Sequence, residues 1–198
     1  LNPYQPELMA AYAATIANLI DRARAEEERE RLLTDTEEQA KHMAQLAADL
    51  QTVADLSAQI TSLPDPQKMM EVVVQETQER FKLYHCHIFL IDETGKNLGI
   101  KACGWHADAP QYGTHGDTIV PLNSKKSLVA QAARTRQAVI INDVLNDPNW
   151  LPNALLPDTR SEMAIPMIVG DTVVGVFDIQ AAELERFNAE DVKIHATL

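Results

Sequence analysis

Three groups of residues carry enough chemistry to be weighed first. His85 and His87 lie two apart in the apolar run Tyr84–Asp92, a spacing that puts both imidazoles on one face of a strand. With His106 or His115 they have the makings of a metal site. No carboxylate or cysteine has supporting spacing, so hydrogen-bonded or solvent-facing strand histidines are the simpler reading, and no metal is expected. Cys86 and Cys103 fall on consecutive strand-like runs. Thiol catalysis needs an accessible thiolate of low pKa and a resolving partner, whereas Cys86 sits in a run that reads as buried. Arg160 starts a buried strand directly after a long loop. Its guanidinium suits a ligand carboxylate or phosphate. The alternative is a salt bridge to Asp143, Asp158 or Glu162 that pins the loop.

The bulk of the chain limits what these groups can serve. With 198 residues and a net charge of -12, the surface repels phosphate and offers no basic stripe, which argues against nucleic acid and against anionic lipid. No apolar run reaches the roughly 18 residues of a membrane span, and the N-terminus has no signal pattern. Two cysteines without metal-ligand spacing fit a reduced, cytoplasmic setting. The chain starts at Leu1 without Met and stops in mid-pattern at Leu198, so it reads as a piece of a longer protein.

Two kinds of element must position the candidate groups. From Glu7 to about Ser62 there is neither Gly nor Pro, and the composition favours helix. Unbroken, about 56 residues at about 1.5 Å each span roughly 84 Å, too long for one small domain to bury. Leu32, Thr36, Gln39, Met43, Leu46, Leu50, Val53, Ser57 and Ile60 recur at alternating steps of three and four, a heptad seam with polar interruptions. Its apolar members Leu32, Met43, Leu46, Leu50, Val53 and Ile60 are the expected homodimer seam. Tyr12, Ile16, Leu19 and Ala23 form a second seam that runs on to Glu26, Glu30 and Leu33, out of phase with the first. A phase break of that kind over- or underwinds a coiled coil. Thr34 to Glu37 also holds a capping-box pattern, so a helix restart there is an alternative, and so is a solvated helix packed on its own domain.

After Pro64 the spacing changes. Asp65-Pro66 opens a second helix to about Arg80. Strand-like runs follow at Tyr84–Asp92 and Leu98–Trp105, joined by a turn over Thr94–Asn97. His106–Gly116 reads as a loop, Asp117–Leu122 as a short strand, and Ser127–Arg136 as a helix capped by Ser124 or Ser127. Ala138–Asn142 is a buried strand, Asp143–Thr159 a long loop, and Arg160–Val169 and Thr172–Ala181 a final hairpin. Asn188 caps a closing helix. The order gives a six-strand meander interrupted by one helix and one loop.

At this point the residues resemble the GAF family of small-molecule and regulatory domains. Ser127–Ala133 resembles the family's helix after the third strand, and Ala138-Val139-Ile140-Ile141-Asn142-Asp143-Val144 its next strand and pocket loop. Thr159–Pro166 and Val174–Gln180 are similar to its fifth and sixth strands, and Phe187–Val192 to its closing helix. The stretch from Pro6 to Arg24 looks like the closing helix of a preceding GAF domain. The resemblance implies an α+β fold, a six-stranded antiparallel sheet flanked by helices and preceded by a long coiled-coil helix. Three segments follow: 1–30 closing a preceding sensor domain, 31–62 a signalling helix, and 63–198 the GAF domain with a truncated closing helix.

The resemblance also implies a role. It points to a sensory module that dimerises and relays a signal to an output domain, as in bacterial multi-sensor histidine kinases, with no enzyme activity in this chain. A pocket between one sheet face and the loops would be lined by Phe89, Cys103, Trp105, Ile141, Asp143, Trp150, Arg160, Met163 and Phe177. Strand parity does not choose between the two sheet faces. No cofactor is expected, and an unidentified small organic ligand suits such a lining; a pocket filled by its own side chains is the alternative. Two other GAF chemistries stand beside this one. A thiol-dependent reductase of free methionine sulfoxide would need the cysteines. A cyclic-nucleotide regulator would need Asn-Lys where the chain has Asn123-Ser124.

Overall fold

The stretch without Gly or Pro forms a single helix, α1 (Gln5–Thr61), in the computed structural model, which describes residues 5–104, 118–148 and 150–198. The helix does not restart at Thr34. Thr34 and Thr36 instead donate their hydroxyls to the carbonyls of Glu30 and Leu32, four residues back, at 3.0 and 2.7 Å. Such bonds satisfy the hydroxyl within a continuing helix. The chain divides into two units, Leu1–Asp49 and Leu50–Leu198. Along the first, Tyr12, Ile16, Leu19, Leu32 and Met43 are exposed and Leu46 is half-buried.

The last turns of α1 belong to the second unit. Leu50 is exposed, but Val53, Leu56 and Ile60 are buried, and Leu56 and Ile60 join one apolar cluster with Val73 and Val74 of α2 (Pro66–Arg80). This corrects the expected dimer seam. Val53 and Ile60 face the domain's own core, because burying an aliphatic side chain there stabilises the fold by about 1.5–3 kcal/mol. The helix α2 starts where Asp65 accepts a hydrogen bond from the Gln67 amide at 2.9 Å and Pro66 takes the first turn, a position that needs no amide proton.

Six strands make one antiparallel sheet: β1 (His85–Ile91), β2 (Asn97–Cys103), β3 (Ile119–Pro121), β4 (Val139–Ile141), β5 (Ser161–Val169) and β6 (Thr172–Ala181). The β1–β2 turn is fastened by Asp92, which accepts from Thr94 Oγ1 at 2.7 Å and from the Asn97 side chain at 2.7 Å. The Asn97 bond first, then that from Thr94, holds the carboxyl well below the usual range. The strand order is β3-β2-β1-β6-β5-β4, not the expected simple meander. Each half is a meander, but β1 pairs with β6, so β3 and β4 lie at opposite edges. The helix α3 (Leu128–Thr135) carries the chain between those edges.

The two sheet faces have different partners. One packs Cys86, Ile88, Met163, Ile165, Phe177 and Ile179 against α2 and the end of α1. The other packs Phe89, Leu98, Ile100, Ala164 and Val176 against Leu128, Val129, Ala132 and Ala133 of α3. Ser127 caps α3 by accepting from the Ala130 amide at 3.3 Å. The chain closes with α4 (Ala189–His195), begun by a capping box in which Asn188 accepts from the Asp191 amide and Asp191 accepts from that of Asn188. No described helix is long and apolar enough to cross a membrane.

Candidate functional site

The face that packs on α3 carries a band of polar side chains across its middle. Period-2 alternation aims His85, His87 and Phe89 of β1 to one side. Pairing sets Gln180 opposite His85 and Asp178 opposite His87. On β5, Glu162 lies opposite Gln180. All five polar residues are nearly inaccessible to solvent.

Burial at that depth requires partners. The hydroxyl of Thr159 donates to Gln180 Oε1 at 2.7 Å, and Gln180 Nε2 donates to Asp178 Oδ2 at 2.8 Å. The same oxygen lies 3.1 Å from His87 Nδ1. From the rim, Trp150 Nε1 donates to Glu162 Oε2 at 2.7 Å. Asp178 Oδ1 has no partner among the described residues. Burial, followed by the neighbouring charge of Asp178, pushes the Glu162 carboxyl well above its ordinary range, against the opposing bond from Trp150. The protonated form of Glu162 is thus favoured relative to that of an exposed glutamate, beside Asp178.

Above this floor lies a cavity of about 230 Å³. His87, Phe89, Glu162, Asp178 and Gln180 form its base, Ser127, Leu128 and Val129 of α3 one wall, and Trp150 to Ala154 its rim. Apolar walls with a few converging polar groups suit a small organic ligand, and the volume is near the low end for ligand pockets.

The expected pocket residues separate into groups. Phe89 and Trp150 line the cavity. Met163 and Phe177 do not: they pack on the opposite sheet face with α2, a correction set by strand parity. Ile141 packs beside the α3 cluster but is not among the lining residues. Asp143 accepts from Asn146 Nδ2 at 2.7 Å within the turn that follows β4. Arg160 donates to the carbonyls of Pro157 and Thr159, so among the described residues it braces the end of the loop through backbone and not through an acid. Cys103 turns to His85, with Sγ 3.0 Å from Nε2. Trp105, with His106 and His115, lies outside the described residues.

The sequence reading missed Glu162, Asp178 and Gln180, along with the part played by His87. A signal was present: each is a polar residue that interrupts an otherwise apolar strand, at positions sharing one face once the strands are paired.

Comparison with known proteins agrees with the fold. A family profile described as the GAF domain matches residues 64–198. No curated protein matches the chain. Among solved structures, the GAF domain of a phosphoenolpyruvate-protein phosphotransferase from Coxiella burnetii is 16% identical, with a TM-score of 0.66 over 77% of this chain and 88% of that one. A free methionine-R-sulfoxide reductase from Neisseria meningitidis, solved with its substrate, is 18% identical, with a TM-score of 0.64 over 77% and 84%. Residues 122 to 287 of a methyl-accepting chemotaxis protein are 16% identical, with a TM-score of 0.57 over 71% and 90%. At such identities the likeness is one of fold. A six-stranded antiparallel sheet with helices on both faces is the fold these structures share, and the chain belongs to the GAF family.

Proposed function

We propose that this chain is a regulatory GAF module that binds a small molecule in the cavity over Asp178 and passes the result on through α1. The observation that carries the reading is the lining itself. It is rich in hydrogen-bonding groups, and neither cysteine contributes to it. A ligand that offers a donor to Asp178 Oδ1 would satisfy that atom, and apolar parts of it would meet Phe89 and Trp150. The transmission element is a parallel pair of α1 helices from two copies, joined through Leu32, Met43, Leu46 and Leu50. The out-of-phase seam around Arg22–Arg31 keeps two arrangements of that pair close in free energy, so a modest difference in ligand affinity shifts them. Residues 1–30 then close a preceding sensor domain, and the output is a further module such as a histidine kinase, in a cytoplasmic protein.

A thiol-dependent reductase is the competing reading, prompted by the relative from Neisseria. The thiols oppose it. Burial raises the Cys86 thiol well above its usual range, and it pushes Cys103 up to about 12. Nucleophilic attack needs the thiolate.

Native mass spectrometry of freshly purified protein tests the binding reading, with a retained small molecule lost in Asp178→Ala as the expected result. In sedimentation, the wild type should run as a dimer and Leu46→Lys/Leu50→Lys as a monomer. A double mutant that stays dimeric overturns the helix pairing. Turnover of free methionine sulfoxide that disappears in Cys103→Ser overturns the regulatory reading.

A further inference from the structure

On the same sheet face stands a second cluster, which shares His87 with the base of the cavity. His85 and His87 project from β1 on one side, and the β1–β2 register sets Cys103 directly opposite His87. One ligating atom from each of the three residues lies within 4.8 Å of the others. His85 Nε2 is 3.0 Å from Cys103 Sγ. The two imidazole centroids are 4.4 Å apart, with the rings inclined at 63°, so they meet edge to face. Both histidines are buried, and Cys103 is half-buried.

We propose that His85, His87 and Cys103 form a binding site for a divalent d-block cation of borderline softness, Zn²⁺ being the type, with Asp178 as the carboxylate that orients His87.

Four features carry this inference. The first is the donor set. One thiolate and two imidazoles select zinc-like ions over magnesium or calcium, which take oxygen ligands. The second is geometry. Zn–S near 2.3 Å and Zn–N near 2.0 Å place tetrahedral ligand atoms about 3.5 Å apart. His85 Nε2 and Cys103 Sγ stand 3.0 Å apart and all three ligand atoms lie within 4.8 Å of one another, a range that includes that value. The third is the surrounding carboxylate. A metal-bound histidine usually gives its other ring N–H to a carboxylate, which fixes the tautomer and raises ligand basicity. Asp178 Oδ2 stands 3.1 Å from His87 Nδ1, in place to orient the ring. The fourth is rigidity: two of the three ligands lie on one strand and the third on its hydrogen-bonded neighbour, in fixed register.

Binding would exchange the S–H bond of Cys103 for a metal–sulfur bond and send one proton to solvent, with no change of oxidation state. Without an ion, burial first and then the charge of Asp178 push the Cys103 thiol up to about 12; a coordinated cation reverses this and holds the thiolate outright. Three protein ligands leave a four-coordinate ion one position for water or a small ligand. The site thus goes beyond the regulatory reading and does not depend on a ligand in the cavity.

The test uses the 198-residue protein after treatment with a chelator, with Co²⁺ as the spectroscopic probe and Zn²⁺ as its competitor. The expected result is one equivalent of Co²⁺ bound, a thiolate-to-cobalt charge-transfer band, displacement by Zn²⁺, and release of one proton per ion in weakly buffered solution. The band should vanish in Cys103→Ser and persist in Cys86→Ser, whose buried thiol faces the other side of the sheet. Asp178→Asn, with its fold checked by circular dichroism, should weaken binding by about 10–100-fold. Absence of a one-equivalent band in the wild type overturns the proposal, and so does a band that survives Cys103→Ser. Unchanged affinity in folded Asp178→Asn removes the orienting role.

Discussion

Replacing Glu162 with Gln should change how stability depends on pH, in a direction set by where the proton sits. The Glu162 carboxyl is 7% exposed, and burial, then the charge of Asp178, raises its pKa well above the ordinary value. In the unfolded chain a glutamate titrates near about 4.3. Above that pH the unfolded state gives up the proton while the folded state keeps it. The folded protein then binds more protons, and stability falls as pH rises. The contribution is whole below about 4.3 and is lost progressively until pH passes the raised folded value. Within that window the slope is about 1.4 kcal/mol per pH unit. With a urea m-value of about 2 kcal/mol per molar, the midpoint drops by about 0.7 M for each unit. Gln keeps an oxygen to accept from Trp150 Nε1, which lies 2.7 Å from Oε2 in the wild type, but has no proton to lose. Urea unfolding at pH 5 and pH 6, followed by circular dichroism, isolates the effect. The midpoint of Glu162→Gln relative to the wild type should rise between the two, by up to about 0.7 M. A difference that stays flat, or that falls, refutes the assignment of a proton to Glu162.

Two further substitutions probe the frame around the site. At Gly175 an added Cβ would stand 2.1 Å from the carbonyl oxygen of Phe89, on the strand that carries His85 and His87. Gly175→Ala should therefore push β6 from β1 and cost about 2 kcal/mol or more, read as a drop of several degrees in melting temperature; an unchanged melt refutes the close approach. Leu56→Ala should cost about 2–5 kcal/mol, because Leu56 is fully buried, while Gln59→Ala, at an exposed position of the same helix, should change stability by no more than about 0.5 kcal/mol. Equal losses at the two positions, measured by urea unfolding, would remove the last turns of α1 from the core.

The fold was legible in the sequence because its signals are local. Gly- and Pro-free composition marked α1, Asp65-Pro66 marked the start of α2, and Ser127 and Asn188 marked the starts of α3 and α4. Strand positions followed from apolar runs between turn residues. What the runs withheld was pairing. A buried strand is apolar on both faces, so Met163 and Glu162 look equally eligible for a pocket until the register of β5 against β6 sends them to opposite sides. The β1–β6 pairing, likewise, joins residues about 90 apart and leaves no mark in local spacing. The same limit hid the contact of Cys103 with His85: the two have no useful spacing along the chain, and are neighbours only across a hairpin. In α1, heptad spacing stated that Val53 and Ile60 need a partner, but not which one. The domain's own core supplied it.

The short edges of the sheet have a consequence for how copies of this protein meet. Both outermost strands, β3 and β4, are three residues long, and β3 ends in Pro121, which has no amide proton to donate. An edge that brief offers few backbone groups to an incoming strand. The sheet is thus a poor template for templated growth, and two copies at high local concentration are steered away from strand exchange and fibre formation.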